Sequence, residues 1–574
     1  MSRKQAKQRN AVMTGGFAVL FFCCLAVVAL AIIGQQANKS ATTPAPAVDP
    51  RTASLTVAYS PEKAVLMRTL ADNFNAQKQK TPDRQAMSIQ LVEVTPEEMV
   101  NQALAGNGGF QALTPDSSLW LDQLNNRWAQ SQATQPGAIE PRLTGVPVRY
   151  AISPIVVAAW EDAARALGWP QTPVSWQAIQ TKAQQDKNFT WSHPSTAYAS
   201  GLLATLAEFY AGAGVQRGLT AEMAQDQKTL DFVQNVEKTV KFYGEGELAA
   251  MKRAAQDGPQ GLDAFVVSEQ LVTAFNTGAF SNGGKPANRL VALYPAEGTL
   301  WADNPLALME TADITANQRR TFQAFREFLA TPEAQAAILK AGYRPADLTI
   351  PLDGPGSPLT KENGVDPAQP QTTLQLPAPD VVQVVQNVWA LTKRKTNVIL
   401  VVDTSGSMNG EKLDNAQTAL KTFLAQIPTD QERVGLVEFN SGVADIIELD
   451  TLGANRAALT STVNSLQAGG NTALLDAVRT AYLRLQRQAD PERINAIVAM
   501  TDGKENASAV TIKQLTQEIR DGNQQLPVII FSIAYGSDAD YAMLQALADA
   551  SGGQVKQGTP ETIRELYKIL STYF

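Results

Sequence analysis

Two predominantly apolar runs end at the same kind of residue. Asn397-Val398-Ile399-Leu400-Val401-Val402 stops at Asp403, and Ile494 to Met500 stops at Thr501-Asp502-Gly503. Short apolar runs closed by turn residues read as buried strands, and Leu526 to Ala534 repeats the pattern. Between them, Leu413, Ala416, Leu420, Phe423, Leu424 and Ile427 recur at helical spacing, and Arg456 to Leu466 and Ala473 to Gln486 read as further helices. Arg433 to Phe439 and Val443 to Leu449 are short strands around Asn440-Ser441-Gly442, a hairpin signal. Tyr541 to Ala550 and Glu561 to Tyr573 are predicted helices, the second started by Thr559-Pro560. Strands alternating with helices predict an α/β fold with a parallel sheet, whose ligands collect beyond the carboxyl ends of the strands.

The preceding half alternates in the same way. Leu55 to Ser60 and Ser88 to Val94 are predicted strands, Ala64 to Phe74 and Pro96 to Leu104 predicted helices, and the alternation runs to about Pro351. Residues 351–380 lack apolar periodicity and contain Gly354-Pro355-Gly356-Ser357-Pro358 and Pro367-Ala368-Gln369-Pro370, which reads as a linker. Val381 to Leu391 is an apolar helix leading into the strand that ends at Asp403. At the other end, Arg3, Lys4, Lys7 and Arg9 precede an uncharged stretch from Ala11 to Gly34. As a helix it would be about 36 Å long, enough for a bilayer core of about 30 Å, and the basic cluster favours a cytoplasmic N-terminus. The expected division is a basic cytoplasmic tail at 1–10, a transmembrane anchor or signal at 11–34, a linker at 35–52, a bilobal domain at 53–350, a linker at 351–380 and a second domain at 381–574. An uncleaved anchor is the preferred reading, with a cleaved signal peptide as its competitor. The bulk of the chain would then be periplasmic or extracellular.

The loop Asp403-Thr404-Ser405-Gly406-Ser407 puts one carboxylate and two hydroxyls beside each other at a strand end. Hard divalent cations take oxygen ligands of this kind. Gly469-Gly470-Asn471-Thr472 adds a hydroxyl before a helix, and Asp502 a second carboxylate. Asp403, Ser405, Ser407, Thr472 and Asp502 reproduce the metal-ion-dependent adhesion site of the von Willebrand factor type A domain, which residues from about Pro379 onward resemble. The resemblance implies a doubly wound, Rossmann-like fold. It also implies that Ser405, Ser407 and Thr472 bind a cation directly or through water, while Asp403 and Asp502 act partly through water. Magnesium is the default ion, with manganese and calcium as alternatives. The remaining coordination position would go to an acidic residue on a protein partner.

The first domain resembles the extracellular solute-binding proteins of bacterial transport systems. The resemblance is carried by Leu55 to Ser60, Pro115-Asp116-Ser117-Ser118-Leu119-Trp120, Ser153-Pro154-Ile155-Val156-Val157-Ala158, Phe265-Val266-Val267-Ser268-Glu269, and the run from Phe328-Leu329 through Thr331-Pro332-Glu333-Ala334-Gln335 to Gly342-Tyr343-Arg344-Pro345. It implies two α/β lobes closing on a small molecule. Ser60, Ser117 and Ser153 follow strand patterns and can precede helices, whose N-termini suit anions, so these serines are expected in the cleft with Thr196 and Tyr198. The competing reading makes each serine an ordinary helix cap. Glu269 is a candidate cleft carboxylate, with a solvated or lobe-bridging role as the preferred reading, and His193 reads as a structural loop residue.

Composition removes most other chemistry. The chain has 574 residues, a net charge of −7 and a pI near 5.2, with no stripe of Lys and Arg interleaved with aromatics, so nucleic-acid binding has no electrostatic footprint. The two cysteines, Cys23 and Cys24, lie inside the apolar stretch, and there is one histidine. That argues against a disulfide framework outside the membrane, a His-rich zinc site, and Ser-His-Asp or Cys-His catalysis. A hydrolase using a carboxylate pair is the weaker alternative, and the expectation is no enzyme. The reading is a membrane-anchored extracytoplasmic protein that binds a partner through a divalent cation, with a solute-binding-like domain beside it. The alternative is a solute receptor whose second domain is structural.

Overall fold

The computed structural model describes residues 49–571 except 133–140, 245, 355, 428, 489 and 561. The expected basic tail and apolar span, and the linker up to residue 48, lie outside the described residues. Among the described residues, no helix is long and apolar enough to cross a membrane.

The first two bodies are lobes built on separate sheets. In lobe 1 the strand order is Ser88–Glu93, Ser54–Tyr59, Ala112–Thr114, Pro305–Leu308, Val148–Arg149. The first three are parallel, and Pro305–Leu308 returns antiparallel. In lobe 2 the ten-residue strand Ala151–Trp160 carries most of the pairing, antiparallel to Ala264–Ser268, Leu290–Leu293, Trp301–Ala302 and Arg344–Pro345. The chain passes between lobes at Arg149–Ala151, at Ala302–Pro305 and again at Tyr343–Arg344. Short crossings of this kind are the construction that lets lobes hinge. The run from Ile155 to Trp160 is buried because sheet neighbours flank it and helices cover it, which explains its lack of alternation.

Residues 351–378 run along lobe 2. Leu374 N donates to Thr299 O at 3.0 Å, Ala292 N to Gly364 O at 2.8 Å and Gln375 N to Gln216 O at 3.2 Å. Glu269, a candidate cleft residue from the sequence, instead fastens this segment. Its carboxylate takes both arms of the Arg344 guanidinium, Nε at 2.7 Å and Nη2 at 2.6 Å, and Nη2 also donates to Gln369 O at 2.6 Å. The Pro379–Thr392 helix buries Val381, Val382, Val385 and Trp389 and packs on the lobe 2 helices Ala199–Ala213, Ala221–Gln225 and Gln227–Glu237. Sequence spacing grouped this helix with the second domain; its apolar face belongs to lobe 2.

The third body is a six-stranded sheet in the order Val443–Thr451, Arg433–Phe439, Thr396–Asp403, Ile494–Thr501, Val528–Tyr535, Gln554–Gly558. All neighbours are parallel except the Val443–Thr451 edge, which forms the hairpin expected around Asn440-Ser441-Gly442. The order runs outward both ways from Thr396–Asp403 and Ile494–Thr501, so the connections diverge between these two strands. That switch point leaves a crevice at their carboxyl ends. Register places Val402 opposite Met500, so Asp403 and Thr501-Asp502 leave the sheet side by side.

Candidate functional site

Three loops meet at that crevice, held by their own backbones. Gly406 N donates to Gly470 O at 3.0 Å, Gly469 N to Thr404 O at 2.8 Å and Ala473 N to Asn440 O at 2.7 Å. Gly470 has φ +82°, and a Cβ there would stand 2.6 Å from Ser441 Oγ, so the turn and its close approach to the hairpin both require glycine. Asn506 fixes the third loop by accepting from Thr472 N at 2.9 Å and donating its own N–H to Thr472 O at 3.1 Å.

Inside this frame the five residues expected from the sequence lie together. Asp403 accepts from Ser405 N at 2.7 Å and from Thr501 Oγ1. Ser405 Oγ and Ser407 Oγ are 3.1 Å apart, and Ser407 Oγ donates to Asp502 Oδ1 at 2.6 Å. A Cβ on Gly503 would sit 3.2 Å from Thr472 Oγ1 and 3.5 Å from Ser407 Oγ, so both hydroxyls border the space that glycine leaves open. Asp403, Ser405, Thr472 and Asp502 are buried, whereas Gly406 and Ser407 are exposed. The cluster therefore has a floor of carboxylates and a mouth at Ser407. Burial raises the Asp403 carboxyl above its usual range, and the Asp502 charge adds to this against the donors from Thr501 and Ser405. A desolvated pair of carboxylates with converging hydroxyls fits a hard dication.

Two neighbours escaped the sequence reading. Thr501 was legible, since it adjoins Asp502. Lys412 was not, yet its ammonium pairs with Asp502 Oδ2. The available signal was electrostatic: a lysine in the first turn of the Glu411–Gln426 helix opposes the helix dipole and needs an anion nearby.

The expected cleft serines have other occupations. Ser60 Oγ donates to Thr114 O at 3.5 Å, Ser117 Oγ accepts from Leu119 N at 3.3 Å, and Ser153 Oγ accepts from Gln270 N at 3.3 Å. A cavity of about 530 Å³ does lie between the lobes, but of the five expected residues only Tyr198 lines it. Its wall includes Glu247, whose carboxyl burial pushes up to about 7 although Ser268 donates to it through N and Oγ. A carboxyl raised in the folded state adds stability below its unfolded pKa of about 4.3 and loses it as pH rises through the folded value. Urea midpoints should therefore fall between about pH 4.5 and 7, and Glu247→Gln should flatten that slope. An unchanged slope in the variant would refute the assignment.

His193 is buried in lobe 2. With Glu208 and Glu237 it forms a group whose possible ligand atoms all lie within 4.8 Å of one another. Glu237 already stands 3.2 Å from His193 Nε2 and accepts from Tyr243 OH at 2.7 Å and from Trp389 Nε1. Burial, with the Glu237 charge beside it, raises Glu208 well above the usual carboxyl range. This is the polar core of the seat that receives the Pro379–Thr392 helix.

Comparison with known proteins agrees with both the two-lobed region and the C-terminal domain. Residues 397–567 match the von Willebrand factor type A domain, and residues 55–344 match the bacterial extracellular solute-binding protein family. Among curated proteins, inter-alpha-trypsin inhibitor heavy chain H2 of Mesocricetus auratus is 25% identical over 189 residues, covering 31% of this chain and 20% of its own. Heavy chain H4 of Sus scrofa is 28% identical over 178 residues, covering 30% and 19%. The chain thus spans a fifth or less of the length of these relatives. Among solved structures, a von Willebrand factor type A protein from Catenulispora acidiphila shares 26% identity over 31% of this chain and 43% of that one, with a TM-score of 0.28. The periplasmic binding protein P5PA shares 11% identity over 59% and 99%, with a TM-score of 0.40. Both matched families are binding or adhesion types. Through residues 55–344, half of its length, the chain belongs to the bacterial extracellular solute-binding protein family, and it carries a von Willebrand factor type A domain behind that region.

Proposed function

We propose that the protein is a membrane-anchored, extracytoplasmic binding protein that captures an acidic partner through a divalent cation on its C-terminal domain. Asp403 and Asp502 supply the charge that holds the ion, Ser405, Ser407 and Thr472 supply hydroxyl oxygens, and Gly503 keeps the space between them clear. Once bound, magnesium, or manganese or calcium by the same oxygen chemistry, offers a coordination position to a partner's carboxylate. Lys412 neutralises Asp502 and would share it with the ion. The observation that carries this reading is the convergence of these donors on a buried floor whose mouth is exposed at Ser407. The test is capture of envelope proteins by the immobilised chain with and without a chelator. A defined partner should be retained only with the ion present, and Ser405→Ala/Ser407→Ala should lose it. Retention that ignores both chelator and substitution sinks the proposal.

A second reading is supported by the interlobe cavity and the short crossings that join the lobes. In that reading the first domain closes on a small solute, and the second domain serves as its platform or reports its state. Ligand-dependent contraction of the radius of gyration without metal would separate this activity from adhesion.

A further inference from the structure

The cleft's own chemistry selects among solutes, and this step rests on the solute-binding reading above. The cavity of about 530 Å³ falls in the range of small-molecule sites. Six carboxylates line it: Glu62, Glu93, Glu97, Glu98 and Asp116 from lobe 1, and Glu247 from lobe 2. Among the described residues, no Lys or Arg stands on its wall. Lys63 lies outside the wall, its Nζ donating to Pro115 O at 2.6 Å and Thr114 Oγ1 at 3.1 Å, and its charge offsets part of that of Glu62 and Asp116.

A helix N-terminus in a cleft ordinarily welcomes an anion. Here three helices begin at the cavity, Pro96–Ala105, Ala199–Ala213 and Glu247–Asp257. Two of them spend that field on their own side chains: Glu97 and Glu98 occupy the first turn of one, and Glu247 opens the other. The third carries no acidic residue in its first turn, but its Ser200 stands against Glu247. An oxyanion would meet carboxyl groups around all three.

One polar group on the wall is also left wanting a partner: Glu62 Oε1 is buried and accepts no hydrogen bond. The buried Ser200 hydroxyl faces the Glu247 carboxyl group. Buried polar atoms are rarely left unbonded. A ligand carrying N–H donors and positive charge satisfies Glu62. The remaining wall, with Val94, Pro96 and Leu248, is apolar and suits methylene groups.

We propose that the interlobe cleft takes an organic cation, an alkyl di- or polyamine, in place of an oxyanion. Ammonium groups bridge the carboxylates of the two lobes, and the alkyl chain lies on the apolar strip. Lobe closure brings Glu247 toward Glu62 and Asp116, and a cation standing between them would favour their charged forms. Burial already raises all three carboxyls above their usual range, which an ammonium partner would reverse.

The test is isothermal titration of the whole protein in about 0.15 M salt, where surface attraction is screened. Spermidine, 1,4-diaminobutane, sulfate, maltose and magnesium are the probes. Spermidine should bind saturably at one site and sulfate should not. Glu62→Gln and, separately, the half-buried Glu98→Gln should each weaken spermidine by about tenfold, the loss of one ionic contact of about 1.4 kcal/mol. Glu98→Gln changes a helix surface position and keeps the fold intact if Glu62→Gln does not. If sulfate or maltose binds and the amines do not, the solute-binding reading stands and the cation inference falls. Magnesium binding that is lost in Glu62→Gln, without amine binding, replaces it with an inorganic site. Amine binding indifferent to both substitutions overturns it as surface attraction. Silence from spermidine, 1,4-diaminobutane, sulfate and maltose overturns the inference together with the reading it rests on.

Discussion

Ser405→Ala/Ser407→Ala should lower magnesium affinity by more than about 100-fold while leaving the folding midpoint nearly unchanged. Disturbing only the outer partners of a metal site typically costs 10–100-fold, and this pair would remove two donor oxygens outright. The fold should tolerate it. The two hydroxyls bond to each other, and Ser407 Oγ bonds to Asp502, while Asp403 keeps its bonds from the Ser405 backbone and from Thr501. Asp502 also retains Lys412. Asp403→Ala is the poorer probe, because Asp403 is fully buried and accepts bonds that would be orphaned. Calorimetric titration with magnesium and a thermal melt on the same preparations check both halves. Equal affinity in variant and parent would mean that these hydroxyls hold no ion.

Trp389→Ala should cost about 3–5 kcal/mol, the range for truncating a buried aromatic, and should loosen the C-terminal domain from lobe 2. The indole is 6% exposed, meets the Tyr243 ring edge-on at 5.3 Å, and donates to Glu237. Its removal leaves a cavity and takes one donor from a buried carboxylate. The next turn of chain depends on the same seat. Arg394 N donates to Tyr243 OH at 2.8 Å, and its guanidinium reaches Val240 O at 2.8 Å in lobe 2 and Pro491 O at 2.8 Å in the C-terminal domain. Denaturant unfolding should show the lower midpoint, and small-angle scattering a larger radius of gyration. Trp389→Phe, which keeps the ring but not the N–H, should fall between the two. A variant with parental stability and dimensions would show that the domains are joined elsewhere.

Periodicity carried much of the fold, for a physical reason. Thr396–Asp403, Ile494–Thr501 and Val528–Tyr535 are buried on both faces, so their sequences are mostly apolar, with few polar interruptions, and need no partner to be recognised. The ion-site candidates were legible because all five lie at strand ends or glycine turns, where local sequence sets the backbone. The cleft was not. Ser60, Ser117 and Ser153 look alike in sequence whether they face solute or backbone, and distant atoms such as Thr114 O and Gln270 N decide. The same holds for Glu269, which only folding brings to Arg344.

The chain's order of residues by itself determined two alternating α/β regions and a five-residue oxygen cluster, because burial and turn geometry are local demands written into neighbouring positions. Tertiary structure alone decided the rest. It laid the Pro379–Thr392 helix on lobe 2, put Lys412 against Asp502, and gathered six carboxylates from segments some 185 residues apart around one cavity. Charge and hydrogen bonding act through space, so groups far apart along the chain acquire their chemistry only when the fold makes them neighbours.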